Sequence, residues 1–250
     1  MTEHFVVKDD GAVRLIRLNR ADKKNALTLA MYAAMTEALQ DANKQNTIRC
    51  VMFAGSPDVF CAGNDIADFL KAAQGGGLDP RANDFIHALA HNEKPLVAAV
   101  NGPAVGLGTT MLLHCDHVVA GPGAALSTPF LKLGLIPEAA STLLAPLRMG
   151  HARAFSLLVM GRPLSAAEAK EAGIVNTVVD DPAAVDAVAL KAAQEIAALP
   201  PHALAVTRKL MRGRMDDVLK QMDAESAHYK KLLQSDEARM AFQAFFARKK

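Results

Sequence analysis

Pro95-Leu96-Val97-Ala98-Ala99-Val100-Asn101-Gly102-Pro103-Ala104-Val105-Gly106-Leu107-Gly108-Thr109-Thr110-Met111-Leu112-Leu113-His114-Cys115 is the stretch on which the fold turns. Its first seven residues are a short apolar run ending in Asn-Gly, the pattern of a strand buried on both faces. Asn101 to Thr110 then reads as a strand-to-helix turn, and Met111 to Cys115 as an apolar helix. Glycines in such a turn let the backbone bend sharply and approach a ligand closely. A helix start offers unpaired N–H groups and a positive dipole end to a developing negative charge. The turn therefore suits an oxyanion or a phosphate. It lacks the Gly-Lys-Ser/Thr ending of a P-loop.

Working outward, strand and helix signals alternate. Val13–Leu18, Arg49–Ala54, His117–Ala120 and Ile174–Val179 read as strands. Leu29 to Asn46 reads as an amphipathic helix capped by Thr28, and Pro182 to Ala198 as another helix. Strands separated by helices predict crossover units and an α/β core. Leu199-Pro200-Pro201 breaks the pattern, and three helical segments follow at about 202–213, 216–233 and 236–247. The division predicted is a core over 1–199 and a helical region over 200–250. In the latter, Leu219, Met222, Phe242, Phe245 and Phe246 form a stripe expected to pack on the body or on another subunit. Gln74-Gly75-Gly76-Gly77 reads as a surface loop, with a mobile loop over a site as the alternative.

Composition narrows the classes. Of the 250 residues 51% are hydrophobic but only 5% aromatic, with no Trp, which implies a large aliphatic core. Three cysteines, Cys50, Cys61 and Cys115, share no metal-ligand spacing, and their odd number argues against a disulfide framework; a reducing cytoplasm is the expected compartment. Met1-Thr2-Glu3-His4 has no signal-peptide pattern, and no apolar run is long enough for a membrane span. Net charge is +2, with eleven Lys/Arg against six Asp/Glu in residues 200–250. That mixed basic tail suits a solvated helical surface or a phosphorylated ligand better than nucleic acid.

Acid is scarce around one glutamate. From His117 to Ala167 the sole carboxylate is Glu138, and Lys94 to Cys115 has none. A carboxylate in apolar surroundings is desolvated and its pKa rises, as a general base or acid requires. The alternative is a helix cap, because Glu138 follows Pro137 and opens a helical pattern. A second small-residue turn, Val59-Phe60-Cys61-Ala62-Gly63-Asn64-Asp65-Ile66, follows the strand at 49–54. Two such turns facing each other supply two N–H donors to one oxygen.

Phe60-Cys61-Ala62-Gly63-Asn64-Asp65-Ile66, then Lys94 to Gly102, then Cys115-Asp116, then Arg162-Pro163-Leu164-Ser165-Ala166-Ala167-Glu168-Ala169 and Gly173-Ile174-Val175 together resemble the crotonase (enoyl-CoA hydratase/isomerase) superfamily over roughly residues 5 to 250. The resemblance implies an α/β fold with a core of ββα superhelical turns, a C-terminal all-helical trimerisation region, and a homotrimer or dimer of trimers. Its ligands are acyl-CoA thioesters, with no cofactor beyond the coenzyme A carried by the substrate, and no metal. Carried over residue by residue, the oxyanion donors are the N–H groups of Asn64 and Leu107. Coenzyme A contacts fall on Lys24, Asn25, Ala26, Leu27, Ala62, Asp65 and Ile66, with basic C-terminal residues near the phosphates. Gly63, Gly106, Thr110 and Phe130 line the substrate pocket.

The chain departs from the hydratase pattern where that pattern has its two glutamates. Thr110 and Phe130 occupy those positions, and neither handles a proton as a carboxylate does. Glu138 instead matches the single acid of peroxisomal-type Δ3,Δ2-enoyl-CoA isomerases. Hydration needs water activated at C3 and a proton delivered at C2, work usually shared by two groups. Moving a double bond from C3–C4 to C2–C3 needs one base. The resemblance thus implies an isomerase with Glu138 as proton shuttle. Hydratase or other enolate chemistry on acyl-CoA, including ring-derived substrates, is the enzymatic alternative. A CoA-ester-binding or RNA-binding family member is the non-enzymatic one. Asp65 and Asp116 read as positioning or structural residues, His114 as a satisfied buried histidine, and the His87/His91 pair as lacking a third metal ligand.

Overall fold

The computed structural model describes residues 4–65, 68 and 79–247, with side chains through residue 244. Ile66, the glycine loop at 74–77, Arg248, Lys249, Lys250 and the side chains of Phe245 and Phe246 lie outside the described residues. Strands β1 (Phe5–Asp10) and β2 (Val13–Leu18) form a hairpin that leads into helix α1 (Leu29–Lys44). Thr28 caps α1 as expected, its side chain accepting from the Met31 N–H. Next come β3 (Cys50–Ala54), α2 (Pro80–His91), β4 (Leu96–Val100), β5 (Pro103–Val105) and the single-turn α3 (Leu107–Thr110), which tightens into a 3₁₀ turn at Met111–His114.

β6 (His117–Ala120), β7 (Ala125–Ser127), α4 (Ser141–Leu158), β8 (Leu164–Ser165), α5 (Ala166–Glu171), β9 (Thr177–Val178) and α6 (Val185–Ala197) complete the core. α7 (Pro201–Arg212), α8 (Met215–Leu233) and α9 (Asp236–Ala247) follow Leu199-Pro200, at the predicted break. The strand expected over 174–179 is shortened to two residues. Ile174 and Val175 instead turn back on Ala169, whose carbonyl accepts both their N–H groups.

One six-stranded sheet has the order β1-β2-β3-β4-β6-β9, parallel except for the β1–β2 hairpin. A smaller sheet pairs β7 with β5 in parallel and with β8 in antiparallel. β3, β4 and β6 neighbour one another in the first sheet, and the segment after each steps into the second layer. There Cys61 bridges Ala104 in β5, and β5 pairs with β7. That repeated step matches the superhelical turn that the sequence resemblance implies.

Alternation along the strands divides the core. Cys50, Met52, Ala54, Val97, Ala99 and Val119 meet the alanine face of α6 (Ala189, Ala193, Ala197). Val51, Phe53, Leu96, Ala98, Val100, Val118 and Ala120 face the main core with α1, α2 and α3. Burial on both faces explains why these strands read as continuous apolar runs. The described members of the C-terminal stripe pack on the body: Met222 joins the main core with Leu219 against it, and Phe242 clusters with Phe130, Leu135 and Tyr229.

Candidate functional site

The two small-residue turns lie against each other. Phe60 and Cys61 N–H groups donate to Pro103 O at 3.1 Å each, and Val105 N–H donates to Cys61 O at 2.8 Å. A β-carbon at Gly63 would lie 3.0 Å from Val105 O, so only glycine permits this approach. Gly106, at φ 57° and ψ −120°, reverses the chain into α3, a conformation closed to residues with a side chain. Beyond it, the Leu107 N–H opens the helix and has no acceptor among the described residues. The Asn64 N–H is likewise unengaged, because the bridge to Leu27 uses Gly63 O and the Asp65 N–H instead. Two N–H groups without an acceptor among the described residues, on adjoining turns, suit a developing oxyanion.

The segment implicated in coenzyme A binding runs beside the first turn. Ala62 N–H donates to Lys24 O (3.0 Å), Leu27 N–H to Gly63 O (2.8 Å), and Asp65 N–H to Leu27 O (2.9 Å). Lys24 and Asn25 both take positive φ, 52° and 55°, which bends the segment against its neighbour. Asn25 is fully buried, and its side-chain amide donates to Ser56 Oγ, Val59 O and Phe60 O while its Oδ1 accepts from the Arg20 N–H. This side chain holds the turn in place. Asp65 pairs with Arg20, which also donates to Ala26 O. Lys24 is exposed, as is its neighbour Lys23.

Glu138 sits at a backbone reversal. α4 begins at Ser141, three residues later than the sequence pattern suggests, because Ala139 (φ 64°) and Ala140 (φ 52°) are both left-handed. The cap reading of Glu138 fails for that reason: no side chain caps α4 from its own segment. His114 steadies the reversal by donating from Nε2 to Ala139 O at 2.8 Å. Burial lowers the His114 pKa to about 4, so the ring is neutral at physiological pH. Glu225 in α8 holds the other side, accepting from the Ala140 N–H (2.7 Å) and the Thr142 N–H (3.0 Å).

The Glu138 side chain as a whole is half-buried, but its Oε1 is buried and has no hydrogen-bond partner among the described residues. Burial, with a further contribution from the Glu225 charge, raises its pKa to about 8. Two buried phenols feel the Glu138 charge, Tyr32 in α1 and Tyr229 in α8; burial first and that charge second push both well above the ordinary tyrosine range. Tyr32 ties the two halves of the site together, since its hydroxyl also binds the Asn64 side-chain oxygen. Phe130 closes the other side, its ring 3.8 Å from where a Gly106 β-carbon would stand. Thr110 is fully buried, and its hydroxyl has no partner among the described residues. Its neighbour Thr109 is the structural one, donating to Ala104 O (2.6 Å) and accepting from the Ser127 N–H (3.0 Å).

Sequence reasoning did not find Tyr32, Tyr229, Glu225 or Arg208. The α8 stripe Val218, Met222, Glu225, Tyr229, Leu233 carried a signal, because one carboxylate interrupts an otherwise apolar buried face. Arg208 pairs through Nε with Asp116 (2.9 Å) and donates from Nη1 to Asn92 O (2.7 Å), while Asp116 accepts the Leu96 N–H (2.8 Å). Asp116 thus staples α7 to the start of β4. His91 Nδ1 lies 2.9 Å from His87 O, and among the described residues no three His, Cys, Asp or Glu side chains gather as a metal site. Nor is any described helix long and apolar enough to cross a membrane.

The family model for enoyl-CoA hydratase/isomerase matches residues 8–250. The chain belongs to the enoyl-CoA hydratase/isomerase family. Within it, the chain is 35% identical to human enoyl-CoA delta isomerase 2 over 99% of its own length and 64% of that protein's. For the rat protein of the same name the figures are 35%, 88% and 57%, so the chain spans about three fifths of these two relatives. It is 32% identical to 1,2-epoxyphenylacetyl-CoA isomerase of Escherichia coli, covering all of this chain and 97% of that protein. The structure of OdaA from Pseudomonas aeruginosa superposes with a TM-score of 0.93 at 39% identity, covering 98% and 99% of the two chains. An enoyl-CoA hydratase/isomerase from Pseudoalteromonas atlantica gives 0.93 at 38% identity, covering 98% of each chain. This membership places the chain in the crotonase superfamily.

Proposed function

We propose that this family member is an enoyl-CoA isomerase that converts 3-enoyl-CoA to 2-enoyl-CoA, with Glu138 as the base. The observation that carries the reading is the buried Glu138 Oε1, without a partner among the described residues, at a site whose two hydratase-type acid positions are Thr110 and Phe130. Glu138 removes a C2 proton from the thioester and returns it at C4. Between those steps the dienolate charge rests on the thioester oxygen, held by the Asn64 and Leu107 N–H groups. One such donor is typically worth about 3–4 kcal/mol in the transition state. With its pKa at about 8, the ionised Glu138 carboxylate is a stronger base than an ordinary one, and the protonated form is a competent acid for the return step.

Coenzyme A lies along Lys24–Leu27 and Ala62–Asp65 in this reading, with no separate cofactor. A cytoplasmic location and a trimer or dimer of trimers built through 200–250 belong to the same proposal. Ring-derived enoyl-CoA substrates are the second reading. The full-length likeness to the E. coli 1,2-epoxyphenylacetyl-CoA isomerase favours them, as does the Thr110 hydroxyl, which a plain hydrocarbon chain leaves unsatisfied. The test is a side-by-side assay of 3-enoyl-CoA isomerisation and 2-enoyl-CoA hydration by the native protein. Isomerisation should dominate; hydration as the faster reaction would overturn the proposal.

A further inference from the structure

We propose that Glu225 is a positioning residue for Glu138: its buried carboxylate clamps the Ala140 and Thr142 N–H groups and fixes the left-handed Ala139-Ala140 reversal that carries Glu138 into the site. The inference rests on the isomerase reading for its kinetic part and on geometry for the rest. Glu225 is 3% exposed, a carboxylate on the core-facing stripe of α8. Three donors converge on it: the two N–H groups and the Thr142 hydroxyl at 2.5 Å, which itself accepts from Gln221 Nε2 at 2.7 Å. All three contacts favour the anion, and an anion at the first turn of a helix is further favoured by the helix dipole.

The clamp answers a local problem. Two consecutive non-glycine residues at positive φ are strained, and such a conformation persists only where its surroundings over-determine it. Here His114 holds Ala139 O from one side and Glu225 holds the Ala140 N–H from the other, so the peptide unit joining the two left-handed residues is gripped at both its carbonyl and its N–H. The arrangement also ties the C-terminal helical region to catalysis. α8 reaches the site through its own subunit's core, bringing both Glu225 and Tyr229.

The groups facing Glu138 are Glu225 and Tyr229 from α8 and Tyr32 from α1, with His114 neutral behind Ala139. Glu225 is the other carboxyl among them, and its charge is the second cause, after burial, of the raised Glu138 pKa. Burial raises its own pKa, while the hydrogen bonds from Thr142 and Ala140 oppose that rise.

The test compares native protein, Glu225→Gln and Glu225→Asp in two ways. The first readout is the ¹³C-detected titration of the Glu138 carboxyl, assigned by its absence in Glu138→Gln; it needs no substrate and stands whether or not the isomerase reading holds. The second is kcat and KM for 3-enoyl-CoA. Glu225→Gln loses the charge and one acceptor, so the Glu138 midpoint should fall. Its kcat should drop about 10- to 100-fold, as misplacement of a catalytic group by about an ångström does, with KM little changed. Glu225→Asp keeps the charge but is one methylene too short to hold both N–H groups. Its Glu138 midpoint should stay near the native one while kcat falls. A Glu225→Gln protein with native kcat and a native Glu138 titration overturns the inference. If Glu225→Gln does not fold, Glu225→Asp decides, and native kcat in that variant overturns the clamp.

Discussion

Glu138→Gln should stabilise the protein in a pH-dependent way, and the size of the effect follows from where the carboxylate sits. Its pKa is about 8 in the folded chain against 4.5 for the ordinary group, with burial as the main cause and Glu225 second. Between those values the folded state holds a proton that the unfolded chain has released, so stability falls as pH rises through that window. Glutamine imitates the neutral acid and has no such window. The stability difference between variant and native protein should therefore be near constant below pH 4.5, grow through pH 6 and 7, and level off above pH 9. At about 1.4 kcal/mol per unit, the full shift sets a ceiling of about 5 kcal/mol; because the side chain is half-buried and water reaches part of it, a plateau of about 2–4 kcal/mol is the expected result. Urea unfolding of both proteins at fixed protomer concentration, at one-unit steps from pH 5 to 9, measures it. Any packing difference between Gln and Glu adds the same offset at every pH, so the slope carries the answer. A difference that stays flat from pH 5 to 9 would refute a desolvated Glu138.

Tyr32→Phe removes the hydroxyl that binds the Asn64 side chain and leaves the ring packed against Phe85. Loss of that one hydrogen bond should lower kcat for isomerisation about 5- to 10-fold, at about 1–1.5 kcal/mol, with the melting temperature changed by only a few degrees. Arg208→Ala leaves the partly buried Asp116 without its guanidinium and Asn92 O without its donor. Breaking such a pair should cost about 2–4 kcal/mol in urea unfolding, and Arg208→Lys should recover little because lysine cannot make both contacts.

Much of the fold was legible because burial on both faces of β3, β4 and β6 leaves a plain mark: short continuous apolar runs between turn residues. The C-terminal helices were equally readable from Leu199-Pro200-Pro201 onward. The second layer was not, since β5, β7 and β8 are two or three residues long and set by pairing across the chain rather than by local pattern. The start of α4 was misread for a similar reason. Pro137-Glu138 looks like a helix opening, but the left-handed Ala139 and Ala140 delay it, and alanine gives no local sign of positive φ. In the site, Glu138 stood out by the scarcity of acid around it. Tyr32 and Tyr229 could not, because a tyrosine on an apolar helix face reads as packing until its neighbours are known. Asn25 shows the reverse case: a residue implicated in ligand contact by resemblance has its side chain fully committed to the turn at Ser56–Phe60.

The claim that proton transfer rests on Glu138 is tested most directly by single-turnover isomerisation of 3-enoyl-CoA, native protein against Glu138→Gln, with enzyme in excess over substrate. Bound CoA ester and fold should be the same in both, while the rate of double-bond migration in the variant falls by at least 10²- to 10⁴-fold, the usual contribution of a positioned general base. A variant that isomerises within tenfold of the native rate would contradict the account.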